Sequence, residues 1–117
     1  MHKRILLIED EKNILELMEM TLGDEGYDVF AINHYEPVDY IIEFAPNVVL
    51  LDVRLSDGYG HLLCKDLKEN PLTSAITVIL VSGAGNLEKI AHDYKADDYL
   101  SKPFSADELV NIVKQYA

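Results

Sequence analysis

Glu9, Asp10, Asp52, Ser82 and Lys102 are side chains that could carry out phosphoryl chemistry if the chain brought them together. Each follows a short apolar run. Ile5-Leu6-Leu7-Ile8 leads into Glu9-Asp10, and Val48-Val49-Leu50-Leu51 leads into Asp52. Val78-Ile79-Leu80-Val81 leads into Ser82, and Tyr99-Leu100 into Ser101-Lys102-Pro103. Singly, each has an ordinary explanation. An acid after a strand commonly caps a helix, the better reading for Asp10 alone. A terminal serine is commonly a turn residue, and a lone lysine is usually solvated. Those explanations do not predict four strand ends bringing three carboxylates, a hydroxyl and an ammonium to one rim. Three close carboxylates repel one another unless a cation sits among them. Mg²⁺ suits such a site, with Mn²⁺ as the alternative, because it prefers oxygen ligands, few carboxylates, retained waters and a phosphate oxygen. Asp52 can then attack phosphorus as a carboxylate nucleophile. The metal and Lys102 neutralise the phosphoryl oxygens, and the Ser82 hydroxyl donates to one of them.

The elements that must position these groups are legible too. Between the apolar runs lie helical patterns, with a further run at Val29-Phe30-Ala31-Ile32. Ile14, Leu17, Met18 and Leu22 share one helix face, as do Leu109, Ile112, Val113 and Tyr116 of a last helix from Asp107 to Tyr116. Ser105 and Glu108 have capping-box spacing before that last helix. A second helix begins near Pro37, a first-turn residue, and stops by Pro46. A third runs from Gly60 to Asn70, and a fourth lies around Leu87, Ile90, Ala91 and Tyr94. Strand and helix repeated five times imply a parallel sheet with helices on both faces. Strands 1, 3 and 4 are continuously apolar, as strands covered on both sides are. Strands 2 and 5 sit beside Asp28 and Asp97-Asp98 and read as edges. The expectation is an α/β, flavodoxin-like, doubly wound five-stranded sheet of order 2-1-3-4-5 with five helices, whose ligands bind outside the carboxyl ends of the strands.

Composition narrows the function. The chain of 117 residues has 10 basic and 21 acidic side chains, a formal charge of −11. That excess opposes direct nucleic-acid binding and favours cationic or metal partners, although solubility accounts for much of it. At 49% apolar the sequence supports a real core, and we read residues 1–117 as a single domain. Cys64 is the only cysteine, so no internal disulfide forms. The start Met1-His2-Lys3-Arg4 resembles a leader, but its apolar run meets Glu9-Asp10-Glu11 at once. With no membrane-length run, a cytoplasmic protein is expected.

Ile5-Leu-Leu-Ile-Glu-Asp-Glu11, Leu50-Leu-Asp-Val-Arg-Leu55, Val81-Ser-Gly-Ala84 and Ala96-Asp-Asp-Tyr-Leu-Ser-Lys-Pro-Phe104 together resemble the receiver domains of two-component response regulators. The resemblance spans nearly the whole chain. It implies a phosphoacceptor switch rather than an enzyme, with a histidine kinase or phosphotransfer protein as donor, an aspartyl phosphate at Asp52, and an unknown output partner or domain. It matches Asp10 to the direct metal ligand, Glu9 to the acid that reaches the metal through water, and the Arg54 carbonyl to the third protein ligand. It matches Ser82 to the switch hydroxyl, Tyr99 to the switch aromatic, and Lys102 to the phosphoryl-binding lysine. The amides of Val53 and Gly83 match those that hold phosphoryl oxygens, and Pro103 matches the proline of a cis bond. Signalling would reshape the face of helix 4, strand 5 and helix 5.

Three positions depart from the family pattern. Ser56 stands where a proline is common, which should loosen the loop after Asp52. Lys95 stands where glycine is common, and Glu9 replaces the more frequent aspartate. Ala84 is small and leaves one side of a phosphoryl group open to water. The Arg54 side chain is open to three readings: solvated, shielding the phosphoryl group, or paired with Glu9. His2, His34, His61 and His92 lack metal-ligand spacing and read as surface residues. Cys64, Met18 and Met20 read as packing. The last helix has only Lys114 as a base, unlike the arginine-rich pattern of receivers that dimerise through this face. A flavin or nucleotide binder would need a phosphate loop after strand 1, and Glu9-Asp10-Glu11 would repel the phosphate. A phosphorylation-independent adaptor of the same fold is the other alternative. The end at Ala117, directly after the last helix, fits either a stand-alone receiver or one cut from a longer regulator.

Overall fold

The apolar runs become the sheet. In a computed structural model, which describes residues 3–117, five strands form β1 (Arg4–Ile8), β2 (Asp28–Ile32), β3 (Val48–Asp52), β4 (Thr77–Ser82) and β5 (Asp98–Ser101). His2 and the rest of the leader-like start up to it lie outside the described residues. Five helices alternate with the strands: α1 (Lys12–Asp24), α2 (Val38–Phe44), α3 (Gly60–Glu69), α4 (Leu87–Asp93) and α5 (Ala106–Lys114). The strand order is β2-β1-β3-β4-β5 and every neighbouring pair is parallel. This is the flavodoxin-like arrangement the sequence implied. A hairpin of two-residue strands, Arg54–Leu55 and Gly58–Tyr59, intervenes between β3 and α3; nothing in the hydropathy pattern announced it.

Alternation along the buried strands builds two cores. Leu6, Ile8, Val49, Leu51, Val78 and Leu80 point to one face and meet Ile41, Leu63, Leu67, Leu87 and Ala91 of α2, α3 and α4. Ile5, Leu7, Val48, Leu50, Ile79 and Val81 point to the other and meet Leu15, Met18, Leu22, Leu109, Ile112 and Val113 of α1 and α5. Each fully buried Leu or Ile contributes about 1.5–3 kcal/mol of apolar transfer free energy, so the three central strands make a stiff frame. The edge strand β2 alternates between exposed and partly buried residues, as its position requires.

Several details differ from the sequence reading. The α1 stripe is Leu15, Met18 and Leu22. Leu17 is 50% exposed and Met20 65% exposed, because both lie off the face that meets the sheet and α5. Pro37 is the N-cap of α2 rather than its first helical residue. Helix α5 ends at Lys114, so Tyr116 lies beyond it, and its hydroxyl donates to the Asp98 carboxylate at 2.9 Å with the Asp97 carbonyl 3.2 Å away. The capping box of Ser105 and Glu108 is present in both directions. Cys64 is fully buried, and burial pushes its thiol up to about 12, so it packs rather than reacts. No helix among the described residues is long and apolar enough to cross a membrane.

Two helix ends use the same device with different residues. After α1, Tyr27 N–H donates to Leu22 and Gly26 N–H to Gly23, with Gly26 at φ +93°. After α4, Ala96 N–H donates to Ala91 and Lys95 N–H to His92, with Lys95 at φ 63°. Both are Schellman closures, which favour glycine at the left-handed position. The lysine's Cβ makes that conformation unfavourable by about 1–2 kcal/mol, partly offset by the greater unfolded-state entropy of glycine. Lys95→Gly should therefore stabilise the protein by about 0.5–1 kcal/mol in urea melts. An unchanged or lower midpoint would refute this account.

Candidate functional site

Register sets the site. Ile8 pairs with Leu51, Asp52 with Val81, and Ser82 with Ser101. Glu9, Asp52, Ser82 and Lys102 therefore leave the sheet at nearly one level on its carboxyl edge. Glu9 is 2% exposed and Asp52 6% exposed. A ligand oxygen from each of Glu9, Asp10 and Asp52 lies within 4.8 Å of the others. Beside them Asp52, Arg54, Ser82, Gly83, Ala84 and Lys102 line an open cleft of about 410 Å³.

The ammonium of Lys102 bridges two of the acids. Its Nζ lies 2.5 Å from Glu9 Oε1 and donates to Asp52 Oδ2 at 3.3 Å. The first contact is the ion pair that satisfies buried Glu9 Oε1. Burial pushes the Glu9 carboxyl up from its ordinary range and the neighbouring Asp52 adds to that, while Lys102 opposes it. Burial alone would pull Lys102 down, but Glu9 and Asp52 together outweigh it and its ammonium is held more firmly than usual. The Lys102–Pro103 bond is cis.

Backbone donors complete the arrangement. Arg54 N–H donates to Asp52 Oδ1 at 3.2 Å and Ser56 N–H to Asp10 Oδ2 at 2.8 Å. Glu11 N–H donates to Glu9 Oε2 at 3.2 Å. The cap of α1 is Glu11, whose carboxylate accepts from Ile14 N–H at 2.7 Å. That corrects the capping role for Asp10 and leaves Asp10 free to face the other acids. The Val53 amide is also corrected as a phosphoryl donor: it donates to the Val81 carbonyl at 3.1 Å as part of the sheet. The amide that faces Asp52 is Arg54's. The Arg54 side chain is exposed at the cleft and Lys102, not Arg54, pairs with Glu9. Gly83 lines the cleft, and Ser82 Oγ accepts from Ala84 N–H at 3.1 Å, which leaves its hydroxyl hydrogen free to donate. Tyr99 is half-buried against the core under α3 and α4.

The segment after Asp52, expected to loosen at Ser56, is the hairpin and is pinned by that residue's amide. Gly60 N–H donates to the Val53 carbonyl at 2.8 Å, and a Cβ on Gly60 would sit 1.8 Å from the Asp52 carbonyl oxygen. Only glycine lets α3 start this close to β3. His61 is no free surface residue: its ring meets Tyr94 at 4.7 Å and Tyr59 at 5.5 Å. Neither the Arg54 and Ser56 amides nor the Gly60 contact was evident beforehand, since backbone groups carry no residue signature.

The donor set fits a hard cation. The three candidate ligand residues all offer carboxylate oxygens, and Glu9 and Asp52 are buried. Ligands around an octahedral Mg²⁺ lie about 2.9–4.2 Å apart, so the carboxylates need draw in only slightly, or one can act through water.

The sequence matches the response regulator receiver domain model over residues 5–114. Solved structures of the same shape agree. A receiver domain protein described as CheY-like from Methanospirillum hungatei has a TM-score of 0.87 at 29% identity, covering 98% of this chain and 93% of that one. The receiver domain of NtrX from Brucella abortus has a TM-score of 0.84 at 30% identity, covering 96% of each chain. DrrB of Thermotoga maritima, an OmpR/PhoB homologue, has a TM-score of 0.85 at 32% identity, covering 99% of this chain and 52% of that one. A structure of the DrrB receiver domain activated by BeF3 matches over 99% of this chain at 30% identity, with a TM-score of 0.83.

Two outcomes are expected. Gly60→Ala should destabilise the protein by about 1–3 kcal/mol through overpacking, read in a urea melt; a neutral change would mean α3 can shift freely. The raised Glu9 pKa means the folded protein holds that proton more tightly than the unfolded chain. Stability from this group is therefore fully present below the unfolded value of 4.5 and is lost as pH rises through the folded one. In metal-free buffer Glu9→Gln should raise Tm at about pH 7.5 and converge with the parent towards about pH 4. A lower Tm at neutral pH would mean the Lys102 pair outweighs the burial.

Proposed function

Because the chain belongs to the response regulator receiver domain family, we propose that it is a phosphorylation switch that accepts a phosphoryl group on Asp52. The observation that carries this reading is the Lys102 ammonium lying between buried Glu9 and Asp52 at the strand ends. That is a nucleophile already oriented beside the positive charge its product needs. The donor is a histidine kinase or a histidine phosphotransfer protein. An Asp52 carboxylate oxygen attacks phosphorus, the O–P bond forms, and the N–P bond of the phosphohistidine breaks. The electron pair returns to the imidazole nitrogen, which takes up a proton.

Glu9, Asp10, Asp52 and the Arg54 carbonyl would hold Mg²⁺, or Mn²⁺. Such an ion supplies charge neutralisation on the phosphoryl oxygens. This chain's own groups do the rest. Lys102 pairs with one phosphoryl oxygen, and the Ser82 hydroxyl and the Gly83 and Arg54 amides donate to the others. Moving Ser82 towards the phosphoryl group opens space for Tyr99 and reshapes the face of α4, β5 and α5, which an output partner or domain reads. Activation of the DrrB receiver by BeF3 is a property of that protein and supports extending the same response to this one. The protein assists its own phosphorylation and dephosphorylation and is not an enzyme for other substrates. We read residues 1–117 as one receiver unit acting in the cytoplasm, without contacting nucleic acid or membrane itself.

The test is intact-protein mass spectrometry after incubation with a small phosphodonor and Mg²⁺. A phosphate-sized adduct is expected, absent in Asp52→Ala and absent without the metal. An adduct that persists in folded Asp52→Ala would sink the acceptor assignment.

A further inference from the structure

The hairpin after Asp52 is tied to three separate parts of the molecule within four residues. Arg54 N–H holds Asp52 Oδ1 and Ser56 N–H holds Asp10 Oδ2. The Asp57 carboxylate accepts from the backbone N–H of Tyr35 at 3.0 Å, in the loop that follows β2. That third tie is reinforced by packing: a Cβ on Gly58 would lie 2.7 Å from the Tyr35 ring, so the ring covers the glycine directly. The hairpin therefore spans from the loop after β2 to the two carboxylates that project from β1 and β3.

We propose that the Ser56 backbone amide is a positioning group for Asp10, and that the Asp57–Tyr35 clasp holds the hairpin in place to deliver it. This deepens the receiver reading and rests on it. The physical reason is directional. A carboxylate on a free loop residue rotates, and ordering it on a cation has an entropic cost. A charge-assisted bond from a fixed amide to one oxygen removes that rotation and leaves the other oxygen for the ion. Partners of this kind orient metal ligands, and their loss commonly lowers affinity 10–100-fold. The donor is the peptide N–H, so side-chain identity at position 56 matters only through whether that N–H exists. Proline is the one residue that deletes it.

The test is Mg²⁺ binding by isothermal titration calorimetry, with folding checked by circular dichroism and Ser56 amide exchange followed by NMR. Ser56→Ala, which keeps the amide, should retain the parent's affinity. Ser56→Pro should weaken Mg²⁺ binding roughly tenfold or more. Asp57→Ala touches no proposed ligand and keeps the Ser56 amide. It should speed exchange at Ser56 and weaken Mg²⁺ binding in the same direction by a smaller factor, which keeps the proposal testable if the proline variant does not fold. Undiminished Mg²⁺ affinity in folded Ser56→Pro, or in Asp57→Ala, overturns the positioning role and leaves the receiver reading standing. Equal losses in Ser56→Ala and Ser56→Pro also overturn it, by assigning the effect to the hydroxyl. No Mg²⁺ binding by the parent protein overturns both readings together.

Discussion

Two carboxylates almost out of contact with water share one ammonium. Glu9 and Asp52 are unfavourable to bury as charges, and Lys102 is unfavourable to bury alone. Lys102 makes both carboxylates tolerable, and they make it tolerable, only while it stays in contact with the two. The rest of the architecture meets that requirement. Lys102 and Asp52 are 50 residues apart in sequence, and a stiff parallel sheet is what brings their strand ends level. The register that aligns Ile8 with Leu51 and Asp52 with Val81 is held by two apolar layers, one on each face, so a slip of one residue would move every side chain of a strand into the opposite core and disrupt the packing of both.

That frame fixes what comes off strands and leaves freedom in what comes off loops. Glu9, Asp52 and Ser82 are buried and anchored by the sheet. Asp10, Arg54 and Ser56 lie off the main sheet and are ordered instead by bonds in which the Arg54 and Ser56 amides donate to the Asp52 and Asp10 carboxylates. Gly60 joins the two regimes: it lets α3 begin against the Asp52 carbonyl, directly after the hairpin.

Much of this was legible in the sequence because it is written in side chains. Uninterrupted apolar runs identified the covered strands, Asp28 and Asp97-Asp98 marked the edges, and the polar residue ending each run located the rim. Misreadings arose where more than one pattern fits. Ile14-Leu17-Met18-Leu22 and Leu15-Met18-Leu22 both satisfy helical spacing, and only packing against the sheet and α5 selects the second and leaves Leu17 and Met20 outside. Family pattern assigned a phosphoryl contact to the Val53 amide, but the sheet had already engaged that group. Backbone donors, the hairpin and the contact at Gly60 depend on tertiary geometry, which no residue type encodes. Lys95 shows the reverse: an unusual residue is visible in sequence, but its left-handed conformation at a Schellman closure explains why it matters.

Formal charge explains why such a site has a direction. Three carboxylates and one ammonium leave two negative charges uncompensated when all are ionised. Burial and the neighbouring Asp52 push the Glu9 carboxyl up, and the Lys102 pair opposes them. A divalent cation would remove both uncompensated charges. A phosphoryl group on Asp52 replaces one negative charge with close to two. That restores an excess at a point farther into the cleft, within reach of Ser82 and Lys102. In the proposed switch the resting site would draw in a cation and the phosphorylated site would draw in donors. The same carboxylates would serve both effects, and the second would move Ser82 on β4 and Tyr99 on β5.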